Sequence, residues 1–160
     1  MSVTPVDWTE VCDWADGLAS TIASQHAHQY IGIVIRDDGA DDLRLAGQRV
    51  GASVDPDVLV SGETHIPLDG SICGRVFRTG VPALVADVRM DPDYGPFLGT
   101  PMRSELAVPI RVGDRIVGVV NLESPLISAF DIVDLDDIMA RIGEAAAGFP
   151  TGSRQPPGTA

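Results

Sequence analysis

Three side chains in the last third of the chain have the types and spacing of a binding site. Residues 116–123 read as a strand, and strand side chains alternate, so Val117, Val119, Asn121 and Glu123 share one face. On the preceding strand, 105–110, Glu105, Ala107 and Pro109 share a face. If Glu105 and the Asn121/Glu123 pair meet on the same side of a sheet, two carboxylates and an amide converge beside an apolar floor. Buried carboxylates need a cationic or donor partner, so such a site suits a ligand amine. The competing reading is a solvated strand end, with Arg103 paired to a glutamate.

Two cysteines are the other residues with reactive potential. Cys12 falls in an apolar helical stripe and is expected to be a buried small hydrophobe. Cys73 falls in the first turn of a helix over 70–78, where free N–H groups and the dipole favour a thiolate, with Arg75 nearby to help. Its other reading is a packed helix-start residue. His26 and His28, two apart, do not share a helix face, so a surface role at a helix end is expected rather than metal ligation.

The eleven basic residues are all Arg. Without Lys, Schiff-base chemistry, a pyridoxal-phosphate anchor and the P-loop are all excluded. Gly-x-Ser-x-Gly, His-Glu-x-x-His, Cys-x-x-Cys and Gly-x-Gly-x-x-Gly motifs are also absent. No metal and no cofactor are expected. A net charge of −12 argues against nucleic acid, whose phosphates need clustered cations. No segment approaches the ~18 apolar residues of a membrane span, and none reads as a signal peptide. At 160 residues, 44% of them hydrophobic and 21% charged, the chain is expected to form one cytoplasmic domain over 1–149. Residues 150–160, rich in Pro and Gly, read as a disordered tail.

These side chains need a scaffold, and the periodicity supplies one. Thr4-Pro5-Val6-Asp7 offers an N-cap and a first-turn proline for a helix over 6–25, with Trp8, Val11, Cys12, Ala15, Leu18, Ala19 and Ile22 on one stripe. Strands follow at 30–35, 43–50, 64–68 and 83–86, with the 70–78 helix before the last of them. Residues 87–101 form a long loop rich in Gly, Pro and Asp that carries Tyr94 and Phe97. Gly113-Asp114 turns a hairpin between the 105–110 and 116–123 strands. A last helix is capped at Ser128 or Asp131. The order predicts an α+β fold, with about six mostly antiparallel strands, the terminal helices on one face and a pocket-forming helix and loop on the other.

The segments Gly70-Ser71-Ile72-Cys73-Gly74-Arg75-Val76-Phe77, Val85-Ala86-Asp87-Val88, Ser104-Glu105-Leu106-Ala107-Val108-Pro109 and Gly118-Val119-Val120-Asn121-Leu122-Glu123-Ser124 together resemble a GAF domain over about residues 8–149. Among stand-alone members, the pattern is most similar to the free methionine-(R)-sulfoxide reductases. Ser104-Glu105 matches that family's Ser-Glu, Asn121 and Glu123 fall on its two recognition aspartates, and Tyr30 falls on its early aromatic pocket residue. The family's catalytic cysteine lies shortly before the Ser-Glu, and residues 94–103 here contain none. The cyclic-nucleotide subset's motif requires Lys, bilin members need Cys-His, and His65 is the one candidate for a haem ligand.

The resemblance therefore implies a small-molecule-binding regulatory module without catalysis, acting through a protein signalling partner or a change of dimer state. The alternative is a reductase-like or thiol redox protein that uses Cys73. The expected pocket has Tyr30, Cys73, Glu105, Asn121 and Glu123 around it and is closed from 87–102 by Tyr94 or Phe97. A homodimer through helices 6–25 and 130–148 is expected.

Overall fold

The computed structural model of the chain describes residues 7–56, 63–95 and 102–150. Helix α1 runs Trp8–Ala23, and its N-cap is Asp7, whose carboxylate accepts from the Thr9 N–H at 3.0 Å. The expected start at residue 6 thus moves inward, because Asp7 caps the helix from outside it. Strands β1 (Tyr30–Ile35) and β2 (Asp42–Val50) follow, then β3 (His65–Pro67), α2 (Ile72–Thr79), β4 (Ala83–Val85), β5 (Ser104–Val112), β6 (Arg115–Ser124) and α3 (Ile132–Ala146). A short 3-10 turn, Val88–Met90, opens the segment expected to be loop.

The six strands form one sheet in the order β3-β2-β1-β6-β5-β4, with every neighbouring pair antiparallel. Both faces of its centre are covered, so all six residues of β1 are buried. On one face Ile31, Ile33, Leu106, Val108 and Leu122 pack against Val11, Ala15, Leu18 and Ile22 of α1 and Ile138 and Ile142 of α3. On the other, Val34, Leu45, Ala107 and Val119 pack against Ile72, Cys73 and Val76 of α2. Each fully buried aliphatic side chain contributes about 1.5–3 kcal/mol.

The two terminal helices are tied together by polar contacts as well. The Trp14 indole N–H donates to the Ala145 carbonyl at 2.9 Å, and its ring meets Phe149 edge-on at 4.9 Å. His26 Nε2 lies 2.9 Å from Asp137 of α3, and the ring is only 8% exposed. The expected surface role for His26 is overturned: the chain leaving α1 turns the ring under α3, where Asp137 receives it. His28 is exposed. Cys12 is half-buried at the rim of the α1 stripe rather than within it, since Val11 and Ala15 take the inward positions. Of the two caps proposed for α3, Asp131 is used. It accepts from the Val133 and Asp134 N–H groups, while Asp134 accepts from the Asp131 N–H, a reciprocal capping box.

Among the described residues no helix is long and apolar enough to cross a membrane. Phe97 and the 151–160 part of the expected tail lie outside the described residues.

Candidate functional site

Register brings the acidic and amide side chains together. Glu105 of β5 sits directly opposite Glu123 of β6, and Glu123 sits opposite Tyr30 of β1. One step along, Asn121 lies between Ala107 and Gly32. This is the sheet face that α2 covers, since Ala107 and Val119 pack beneath Ile72, Cys73 and Val76. Exposure is 3% for Glu105, 1% for Glu123 and 0% for Asn121. The solvated strand end, with its Arg103–glutamate pair, is therefore overturned: α2 and the neighbouring strands exclude water from both carboxyls. Arg103 Nη1 instead donates to the Met102 carbonyl at 3.2 Å.

The Asn121 side-chain NH2 donates to Glu123 Oε2 at 3.2 Å. Glu105 Oε2 and Asn121 Oδ1 are buried and have no hydrogen-bond partner among the described residues. Both are acceptors. A buried acceptor without a donor costs about 1–3 kcal/mol, so two side by side are a local deficit of donors. Tyr30 lies at the same end of the sheet, fully buried, with its hydroxyl donating to Gln48 Oε1 at 3.0 Å. Its ring lies across Gly32, where a Cβ would come within 3.1 Å of the Tyr30 ring. Tyr94 packs at the edge of the cluster formed by α2 and the sheet.

Burial pushes the Glu105 carboxyl well above the usual carboxylate range, and Glu123 opposite pushes it further. Burial also raises Glu123, to about 7, although hydrogen bonds from Asn121 and Glu105 pull it back. Two opposed carboxyls in a dry site cannot both ionise without a cation, so they share a proton, with Glu105 donating to Glu123. Tyr94 is raised to about 12 by burial, then by Glu123 and Glu105. Burial raises Tyr30 as well, with Glu123 and Cys73 acting in the same direction.

Cys73 is 3% exposed and its thiol is pushed well above its ordinary value by burial, and next by Glu105 and Glu123. Of the two readings of Cys73, the thiolate is overturned and the packed helix-start residue matches the structure. The helix start is real, with Ser71 as N-cap accepting from the Gly74 N–H at 2.8 Å, but it opens onto two acidic groups. Arg75 does not assist the thiol. Its guanidinium grips Asp91 with both Nη atoms at 2.9 and 2.8 Å and reaches Asp93 at 2.7 Å.

Residue-level reading missed that clamp, although Asp91 and Asp93 were visible in the loop as partners for an Arg. It also missed Gln48 and Met102; the latter is buried with Tyr30 and Val54. His65 is exposed on β3, 3.2 Å from Asp42. Its neighbour Ile66 takes the α2 face, so His65 faces away from the carboxyl pair. Among the described residues no cluster of His, Cys, Asp and Glu is suited to hold a metal ion.

The GAF domain family model matches residues 13–148. The chain belongs to the GAF domain family. A 70-residue stretch of this GAF domain is 33% identical to the protein YtsP of Bacillus subtilis (strain 168), covering 44% of this chain and 42% of that one. The match thus spans less than half of that relative. The fold is similar to that of the free methionine-R-sulfoxide reductase from Neisseria meningitidis, solved with its substrate, with a TM-score of 0.68 and 24% identity over 89% of this chain and 79% of that one. It is similar also to the GAF domain of an Acinetobacter phosphoenolpyruvate-protein phosphotransferase, with a TM-score of 0.72 and 14% identity over 87% and 81%. At these identities the structural likeness is one of fold.

Proposed function

We propose that this GAF domain binds a small molecule through a protonated amine on the α2 face of the sheet. Glu105, Asn121 and Glu123 are the acceptors, while Tyr30, Cys73 and Tyr94 line the site. The observation that carries this reading is the pair of buried acceptors without donors, Glu105 Oε2 and Asn121 Oδ1. An ammonium group brings three donors and a positive charge, which answers both deficits at once. The surroundings, Ile72, Val76, Ala107 and Val85, favour an apolar body behind the amine. GAF domains are common sensory and regulatory modules, and occupancy is relayed here through a partner protein or the dimer state.

The reductase alternative has less support. Residues 94–103 contain no Cys. Cys73 is held as a thiol, and Cys12 lies on α1, across the sheet from α2. A coupled assay with free methionine sulfoxide is expected to show no turnover.

A thermal-shift screen of amino acids, nucleotides and oxo acids tests the amine reading. A ligand at a hundred times its dissociation constant stabilises by about 2.7 kcal/mol. Amine-bearing compounds should raise the melting temperature, and the Glu105→Gln/Glu123→Gln double variant should lose the rise. Shifts confined to oxo acids, or an undiminished rise in the double variant, would remove the reading.

A further inference from the structure

We infer that ligand capture at this site is an exchange of a proton for a cation: the amine takes the place of the proton that Glu105 and Glu123 share, and that proton leaves to solvent. The inference rests on the amine reading above and goes beyond it to the regulation of the same site by pH. Its geometric basis is the direct opposition of Glu105 and Glu123 across β5 and β6, both buried, with the second oxygen of Glu105 and the carbonyl oxygen of Asn121 unpartnered among the described residues. Above about pH 7 in the ligand-free protein, one carboxylic acid donating to one carboxylate leaves a single negative charge. An arriving ammonium satisfies both carboxylates, so retaining the proton would place an O–H donor where an acceptor is needed. The step balances: an ammonium and a singly protonated pair give an ammonium between two carboxylates and one free proton.

The groups that face the pair make it the one that titrates. From β1 Tyr30 stays neutral, because burial and Glu123 hold its hydroxyl proton on. From α2 Cys73 stays a thiol. Tyr94, on the segment after the 3-10 turn, is raised to about 12. Arg75 and Asp91 act on Glu105 with opposite signs, and each is already committed to the other. Asn121 of β6 carries no charge. Among the groups that face the site, the carboxyl pair is what can release a proton near neutrality.

Butylammonium is a suitable probe, with an apolar tail and an ammonium that keeps its proton up to about pH 10, as a lysine does. Butanol serves as the uncharged control. Infrared difference spectra of the free protein at pH 8 should contain a buried carboxylic-acid carbonyl band that Glu105→Gln removes and saturating butylammonium abolishes. Calorimetric titrations at pH 8 in buffers of different ionisation heat should report release of about one proton per butylammonium bound. Affinity should rise about tenfold per pH unit above about pH 7, where Glu123 is already ionised and Glu105 still holds its proton. Glu105→Gln, which mimics the protonated pair, should bind more weakly with no pH dependence in this range. Absence of the carboxylic band, or binding with no proton released, overturns the exchange while leaving the amine reading intact. No binding of butylammonium at any pH overturns the amine reading, and the exchange with it.

Discussion

Glu105 and Glu123 oppose each other in a dry site, and that arrangement has a cost that depends on pH. Both are raised above the ordinary glutamate value near 4.5, so the folded chain binds more protons than the unfolded one between about pH 4.5 and 7. Stability falls with rising pH wherever the folded state holds the extra proton, by about 1.4 kcal/mol per pH unit for one proton. Asp91 and Asp137 act oppositely. Hydrogen bonds from Arg75 and Arg141 hold them low, so their contribution is lost only in acid, below the usual aspartate range. Urea unfolding of the ligand-free protein at pH 5, 6 and 7 should therefore show Glu105→Gln gaining on the natural chain as pH rises. A constant difference between the two across that range would contradict the shared proton. Thiol chemistry gives a second prediction at this scale: a bulky thiol reagent should label Cys12 well before Cys73 in the native protein. Strand alternation places Asn121 and Glu123 on one face, but whether Glu105 joins them depends on the β5–β6 register, which sets Glu105 opposite Glu123. The state of Cys73 was not legible in the sequence, because the helix-dipole argument is local, whereas the groups that suppress its ionisation arrive from β5 and β6, more than thirty residues away in the chain.

Helix α2 and the segment after β4 form the cover of the site, and Arg75 joins them. Ser71 fixes the start of α2, and Gly80 ends it in the left-handed conformation, at φ 70°. Between them Arg75 projects to Asp91 and Asp93, while Asp91 Oδ1 also accepts from the Asp93 N–H at 2.9 Å and the Asp91 carbonyl accepts from the Tyr94 N–H at 3.2 Å. One guanidinium thus holds the turn that presents Tyr94. Arg75→Gln should loosen this segment selectively, with hydrogen exchange at the Asp93 and Tyr94 amides accelerating about tenfold or more, the equivalent of about 1.4 kcal/mol of local stability. Exchange in α1 should not change. Uniform acceleration throughout the protein would instead mean that Arg75 supports the whole fold. Element order and sheet membership were readable because hydrophobic periods of 2 and 3.6 alternate cleanly between 8 and 146. The clamp was not readable, because charged residues along a Pro- and Asp-rich loop carry no periodicity to say which Arg they meet.

At the scale of the whole molecule, the acidic balance and the outer face of α3 pull in opposite directions. Only Ile138 and Ile142 of α3 are buried, while Ile132, Val133 and Met139 are 59%, 69% and 51% exposed. A helix with that much unpartnered apolar surface, beside α1 on the same side of the sheet, favours association of two copies through the terminal helices. The net charge of −12 opposes it, since two like-charged chains repel over roughly the 10 Å Debye length of 0.1 M salt. A homodimer formed this way should therefore tighten as salt is raised from about 0.05 to 0.5 M, the opposite of an interface built on ion pairs. Light scattering across that range, at tens to hundreds of micromolar protein, measures it directly. Val133→Asp should shift the population to monomer at every salt concentration, yet change the stability of the monomer by no more than about 0.5 kcal/mol, because the Val133 side chain is mostly exposed. A chain that stays monomeric at high micromolar concentration in 0.5 M salt would leave a partner protein as the route by which the site is read.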